Sequence, residues 1–170
     1  MRLPDELLLQ VAKPGRYTGG EINSAVKRPE SVAVRFAFCF PEVYEVGMSN
    51  LGLQILYYFL NRREDCYCER AFLPWPDMLS GMKKRGIPLF ALETGDSLRD
   101  FDILGFTMQY ELNYTNILAM LEAAGLPFYS RERGEEYPVV CAGGPCAVNP
   151  EPLADFIDFF YIGDGEANLD

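Results

Sequence analysis

Short apolar segments alternate with helical segments along this chain, and that alternation restricts its fold more than any other feature. Five segments rich in β-branched, aromatic and other apolar residues predict strands: 31–40, 66–72, 102–108, 138–142 and 158–162. Strands that are separated by helices usually pair in parallel, with the helices on both faces of the sheet. The sequence therefore predicts an α/β fold with a doubly wound, mostly parallel five-stranded sheet.

Helix signals lie between the predicted strands. Asn50 is a good N-cap, and the helix after it places three leucines on one face: Leu53, Leu56 and Leu60. A second helix is predicted over 75–84, and a third over 114–124 with Gly125 marking its end. These helices supply the crossovers that a parallel sheet needs.

The other segments are assigned with weaker signals. We predict an N-terminal arm over 1–30, with a short helix at 5–12, followed by one α/β domain over 31–170. Segment 41–48 is predicted to be a loop, and 87–92 a short additional strand. Asn149 as N-cap and Pro150 at the first helical position predict a short helix after the fourth strand. A further helix is expected to begin after the fifth.

Composition excludes several classes of partner. The net charge is −10 and the longest basic run is Lys83-Lys84-Arg85, so these residues offer no surface for nucleic acid phosphates. No apolar run has the length of a membrane span, and no signal peptide core is present. We therefore expect a cytoplasmic protein that contacts neither nucleic acid nor a membrane.

Cysteine and histidine usage restricts the chemistry. The five cysteines are odd in number and do not indicate a disulfide framework. Cys66 and Cys68 would share one face of a strand, but no second pair completes a tetrahedral metal site. The chain has no histidine, which excludes Ser–His and Cys–His catalysis and histidine metal ligands within these residues. We therefore predict no catalytic residue and no metal ligand here.

Small and flexible residues follow several of the predicted strands. They occur at 47–52, at 107–111, at Gly143-Gly144-Pro145 and at 163–166. The first of these turns is neither a dinucleotide fingerprint nor a P-loop, and none of them contains the Lys or Arg that a phosphate would need. Ligands of open parallel sheets bind at the carboxyl ends of the strands. The turns therefore predict a site for a flat, bulky ligand at this edge.

The run 40–56 resembles the opening of the cobalamin-binding domain at the amino end of many radical S-adenosylmethionine (SAM) enzymes. Further matches in the same order lie at 68–70, 74–77, 105–112, 142–145 and 163–166, so that the resemblance covers 13–170. The pattern is most similar to an uncharacterised subfamily of those enzymes. It implies a Rossmann-like or flavodoxin-like domain that holds the corrin against the carboxyl edge of its sheet.

The resemblance also implies which residues contact the cofactor. They follow the first, third, fourth and fifth strands: Tyr44, Gly47, Ser49, Asn50, Leu51, Gly52, Thr107, Met108, Gln109, Gly143, Gly144, Pro145, Gly163, Gly165 and Glu166. Many such domains ligate cobalt through a histidine. Since this chain has none, the resemblance implies cobalamin bound without histidine ligation, with Asn50 or Tyr44 near the lower face of the cobalt.

The catalytic half of such an enzyme binds a four-iron (4Fe-4S) cluster on a Cys-x-x-x-Cys-x-x-Cys loop, together with SAM. No cysteine spacing here fits that loop. The resemblance therefore implies a non-catalytic fragment that lacks its last helix and its C-terminal radical SAM domain, which would be its partner.

Two alternatives stay open. The domain could be a degenerate scaffold that docks on the catalytic half without a ligand. It could also be a flavodoxin-like domain for flavin or nucleotide, which the absence of a Ser/Thr-rich phosphate cradle in the first turn disfavours.

Overall fold

A computed structural model describes residues 3–165 and contains one sheet of five parallel strands. The strands are β1 (Val34–Phe40), β2 (Cys66–Phe72), β3 (Ile103–Thr107), β4 (Val139–Gly143) and β5 (Phe159–Tyr161), in the spatial order β2-β1-β3-β4-β5. The predicted doubly wound α/β fold is confirmed. All pairings are parallel, and the order reverses between β1 and β3, which makes that gap the topological switch point.

Five α-helices accompany the strands in the described part of the chain. They are α1 (Asp5–Leu8), α2 (Tyr44–Met48), α3 (Leu51–Arg62), α4 (Pro76–Arg85) and α5 (Tyr114–Ala124). The Asn50 side chain caps α3 by accepting the backbone N–H of Leu53 at 2.9 Å. Gly125, in the left-handed conformation, ends α5 as the sequence predicts.

Three local predictions were wrong. Segment 41–48 is not simply a loop, because it contains α2, whose Gly47 packs under the ring of Phe72. Segment 87–92 forms only one antiparallel bridge, between Phe90 and Ser97, because it lies against the edge of β2 instead of joining the sheet. Asn149 caps no helix; it follows one 3₁₀ turn and precedes another.

The predicted helix at 5–12 is also shorter than expected, since it ends at Leu8. The helix that we predicted after β5 lies outside the described residues.

Side-chain alternation along the strands divides the core into two layers. On one face, Ala37, Cys39, Leu104 and Val140 pack with residues of α1, α4 and α5. On the other face, the phenylalanines of β1 pack with Leu53, Tyr57 and Leu60 of α3. The second layer covers mainly β1 and β2. Consequently Phe159 and Cys141, which face the same side from β5 and β4, stay partly exposed.

Strand β2 is at the edge of the sheet, yet both of its charged residues are fully buried. The Arg70 guanidinium donates to Glu93 at 2.7 Å and lies over the Tyr57 ring at 4.3 Å. The Glu69 carboxylate accepts from Arg35 at 2.7 Å and from the Thr94 hydroxyl at 2.6 Å. The segment that carries Glu93 and Thr94 therefore covers this edge and protects it from pairing with another strand.

The N-terminal arm packs along β2 and α3. Ser24 accepts a hydrogen bond from Arg70 at 3.0 Å, and the backbone N–H of Ala25 donates to the Tyr57 hydroxyl at 2.7 Å. Lys27 donates to the backbone carbonyl of Cys66 at 2.6 Å. The buried arginine of β2 is therefore satisfied partly by the arm, which links the placement of the arm to the sheet edge.

Replacing Glu93 with alanine should lower the free energy of unfolding by about 3–5 kcal/mol, because it leaves the Arg70 cation buried without its closest partner. Urea denaturation would measure the change. The matched control is Glu122→Ala, which removes an exposed ion pair with Lys83 and should leave the midpoint nearly unchanged. Equal effects of the two substitutions would show that the buried pair does not stabilise the edge.

Candidate functional site

An apolar groove of about 460 Å³ opens on the sheet face that carries α3. Its shape follows from the pairing register, which places Phe38, Gly105, Cys141 and Phe159 side by side on four adjacent strands. Two small residues thus lie between two aromatic ones, and the small residues form the floor of a channel. The five residues of β3 are joined by four steps of about 3.3 Å each, so the floor is about 13 Å long.

Helix α3 forms one wall of the groove, and β5 forms the other. Leu53, Leu56 and Leu60 line the helical wall, and Phe159 and Tyr161 line the opposite one. The ring of Phe36 lies directly over Gly105, where a Cβ atom would come within 2.3 Å of it. Only glycine at this position leaves room for that ring at the lower end of the groove.

The groove opens at the carboxyl edge beside the switch point. Thr107 and Gln109 lie there, and the Gln109 amide donates to the Thr107 hydroxyl at 2.8 Å. Nearby, the Tyr110 hydroxyl donates to Glu42 at 2.7 Å, which links the loops after β3 and β1. This hydrogen bond raises the pKa of Tyr110, so the phenol keeps its proton at neutral pH.

The turn after β4 is held by backbone contacts. Gly144 has a φ of 111°, which side-chain-bearing residues rarely adopt, and a Cβ atom there would lie 3.0 Å from the carbonyl oxygen of Met108. The Met108 N–H donates to Gly143 at 2.7 Å, and the Cys146 N–H donates to Met108 at 3.0 Å. Gly144 is thus required by the join between β3 and β4, whatever it contributes to binding.

The structure brings nine of the predicted site residues together around the groove. They lie at the carboxyl ends of strands, in the turns that follow or in the first turn of α3: Asn50, Gly52, Thr107, Gln109, Gly143, Gly144, Pro145, Gly163 and Gly165. Glu166 lies outside the described residues. That any of these residues contacts a ligand stays a prediction.

The other five predicted residues do not line the groove. The Tyr44 hydroxyl donates to Glu21 at 3.0 Å, so this side chain is directed toward the arm. Gly47 is buried under Phe72, and Met108 is buried in the layer on the opposite face of the sheet. Ser49 donates to the carbonyl of Val46, and Leu51 is exposed at the start of α3.

Sequence reasoning missed the floor and walls of the groove. Gly105 and Cys141 lie inside predicted strands, whereas the prediction concentrated on the turns that follow strands. The two-residue period of a strand would have placed Cys141 on the same face as Gly143, and Gly105 on the same face as Thr107. The register that aligns these two strands is a tertiary property, and only the structure supplies it.

The groove offers little ionic or metal-binding chemistry. Among the described residues, no Lys, Arg, Asp or Glu lines it, and the Asn50 side-chain oxygen caps α3 by accepting the Leu53 N–H. Burial raises the pKa of Cys141 to about 12, so its thiol is protonated at neutral pH. Across residues 3–165, no cluster of three or more His, Cys, Asp or Glu side chains is placed to hold a metal ion. Nor is any helix in that range long and apolar enough to cross a membrane.

Comparison with known families gives this arrangement a context. Residues 52–170, more than half of the chain, match the family model described as radical SAM proteins, N-terminal. The chain belongs to this family. The matched range begins at the first turn of α3 and includes all of β3, β4 and β5. It therefore contains the floor and both walls of the groove.

This radical SAM N-terminal domain is also similar to an uncharacterized protein of Methanocaldococcus jannaschii. The two are 24% identical over 133 residues, which are 78% of this chain and 24% of the relative. The chain therefore spans about a quarter of the length of that relative.

Cys141 should react with iodoacetamide about a thousandfold more slowly in the folded protein at pH 8 than in urea, because a thiol with a pKa of about 12 is almost entirely protonated there. Mass spectrometry of the alkylated peptide would measure both rates. Rapid alkylation in the folded protein would instead identify Cys141 as an accessible thiolate and a candidate metal ligand.

Proposed function

We propose that this domain binds a cobalamin at the carboxyl edge of its sheet and holds it for a radical SAM catalytic domain. The observation that carries the proposal is the apolar groove, which opens at that edge beside the switch point, where ligands of open α/β sheets bind. The described residues would bind and orient the cofactor and would not themselves catalyse a reaction.

The shape of the site supports a ligand with a broad head and a narrower appendage. A flat macrocycle would lie over the carboxyl edge, where Gly143, Gly144 and Gly163 have no side chains to obstruct it. The absence of Cβ atoms allows close approach of such a ring. A slender apolar group could then enter the channel over Cys141, beside the Phe36 ring that covers Gly105.

Within residues 3–165, the side chains at the groove provide no strong ligand for cobalt. The chain has no histidine, Asn50 is used as a helix cap, and Tyr44 is directed away from the groove. The Cys141 thiol carries its proton at neutral pH. We therefore propose that the lower face of the cobalt is left to water or to uncharged groups. When bound, the cobalt would supply alkyl-transfer or rearrangement chemistry to the catalytic domain.

The proposal assigns the other cofactors to a different part of the protein. The 4Fe-4S cluster and S-adenosylmethionine would belong to the radical SAM catalytic domain. Two of the cysteines, Cys66 and Cys68, are buried in β2, and no group of three or more His, Cys, Asp or Glu side chains within residues 3–165 could hold a metal ion.

A titration of the full-length protein with hydroxocobalamin, followed by visible absorption, would test the proposal. Cys141→Trp should weaken uptake at least about tenfold, because the indole fills the floor of the groove without touching the turns. Cys141→Ser is the matched control, since it removes the thiol and keeps the space. It should bind as the wild type does.

The outcomes separate the candidates. No spectral change in the wild type would reject cobalamin binding, and loss of uptake in Cys141→Ser would mean that the thiol is a ligand. The second candidate is the ligand-free scaffold. Two hydrogen bonds across the switch point favour it: the Tyr110 hydroxyl donates to Glu42, and the Asn116 amide of α5 donates to the Pro41 carbonyl at 2.9 Å. A scaffold would keep full activity of the whole protein when Cys141 is replaced with Trp.

A further inference from the structure

Each of the five strands is followed, at the carboxyl edge of the sheet, by at least one large apolar side chain that is exposed. We name this set the carboxyl-edge apolar surface: Val46, Leu51, Trp75, Leu112, Val148 and Ile162. The most exposed members are Leu112 at 82% and Val148 at 75%, and they follow the adjacent strands β3 and β4. Exposed apolar residues that share one edge of a sheet are candidates for an interaction site.

The same edge is acidic. Its loops cover 41–50, 73–77, 108–113, 144–155 and 162–165, and they contain Asp and Glu but no Lys or Arg. Two cations of the arm, Lys13 and Arg16, reach the edge, and both pair with Glu45. Among the described residues, the side chains of Glu111 and Glu151 have no ion-pair partner. The apolar surface is therefore flanked by uncompensated negative charge.

This combination selects the chemistry of the partner. Two copies of the chain would bring like charges together if they met through this edge, and the phosphates of nucleic acids or acidic lipids would be repelled. A protein surface with apolar residues flanked by Lys or Arg is complementary in both respects. Apolar anchors would provide most of the affinity, and the charges would provide orientation and specificity.

We propose that the carboxyl-edge apolar surface is the docking face for the radical SAM catalytic domain of the same protein, and that the contacting face of that domain is apolar and basic. The family is described as the N-terminal part of radical SAM proteins, and this description supports the radical SAM domain as the occupant. Because the apolar and acidic side chains at the edge would make the contact, docking does not require a cobalamin in the groove.

Hydrogen exchange in the full-length protein tests the docking. The paired substitutions Leu112→Lys and Val148→Lys place cations opposite a basic partner and remove two apolar anchors. Peptides that cover 108–113 and 144–149 should then exchange about tenfold faster or more, since undocking exposes their backbone. The matched control is Val26→Lys with Tyr58→Lys, which changes two exposed apolar residues away from this edge and should leave those peptides unchanged.

A second pair of substitutions tests the docking even if the lysine variant misfolds. Glu111→Gln with Glu151→Gln removes two charges at exposed positions, and it should accelerate exchange of the same peptides while circular dichroism stays unchanged. The docking proposal fails if these peptides exchange as fast in the wild type as in the lysine variant, or if the control variant has the same effect.

The failure of docking can be distinguished from the failure of cobalamin binding. Cys141→Trp should weaken hydroxocobalamin uptake, and in cobalamin-free protein it should leave the exchange of both edge peptides as in the wild type. Loss of edge protection in Cys141→Trp would contradict docking that is independent of the ligand.

Discussion

A parallel sheet has to bury both of its faces and protect both of its edges, and the way this chain meets that requirement determines which surfaces stay open. At the β2 edge, the buried pairs of Arg70 with Glu93 and Glu69 with Arg35 attach a covering segment to the sheet. The N-terminal arm completes that cover through Ser24. On the sheet face that carries α3, the cover extends over β2 and β1 and ends at that helix.

The groove and the acidic edge follow from that incomplete cover. Because Gly105 and Cys141 lie between two aromatic residues in the register, the uncovered part of the face is a channel and not a flat surface. Because every strand points the same way, all the turns that follow the strands meet at one edge. A ligand in the channel and a partner domain on the edge would occupy adjoining surfaces, so a bound cofactor would lie next to the partner.

Local sequence signals predicted the elements correctly where local conformational preference and tertiary packing agree. The bounds of β2 and α5 correspond to their predictions, because β2 is rich in aromatic residues and cysteine despite Glu69 and Arg70, and because Gly125 ends α5. The prediction for 87–92 was wrong since its apolar residues cover an edge, which no short-range pattern reveals. The same reason explains Tyr44 and Met108, whose positions next to strand ends suggested a site although their side chains contact the arm and the opposite core layer.

The sequence by itself determined the five strands of the sheet, the helices α3, α4 and α5 and the parallel doubly wound class, since these depend on periodicity and on turn residues within a few positions. The sequence also shows that the chain has no histidine and that the edge loops contain no Lys or Arg. These absences limit the chemistry that the described residues offer. Only the tertiary structure decided that Gly105 and Cys141 form a channel floor and that Leu112 and Val148 share one exposed edge. Register and strand order bring together residues far apart in the chain, and such long-range pairing is not encoded in any local pattern.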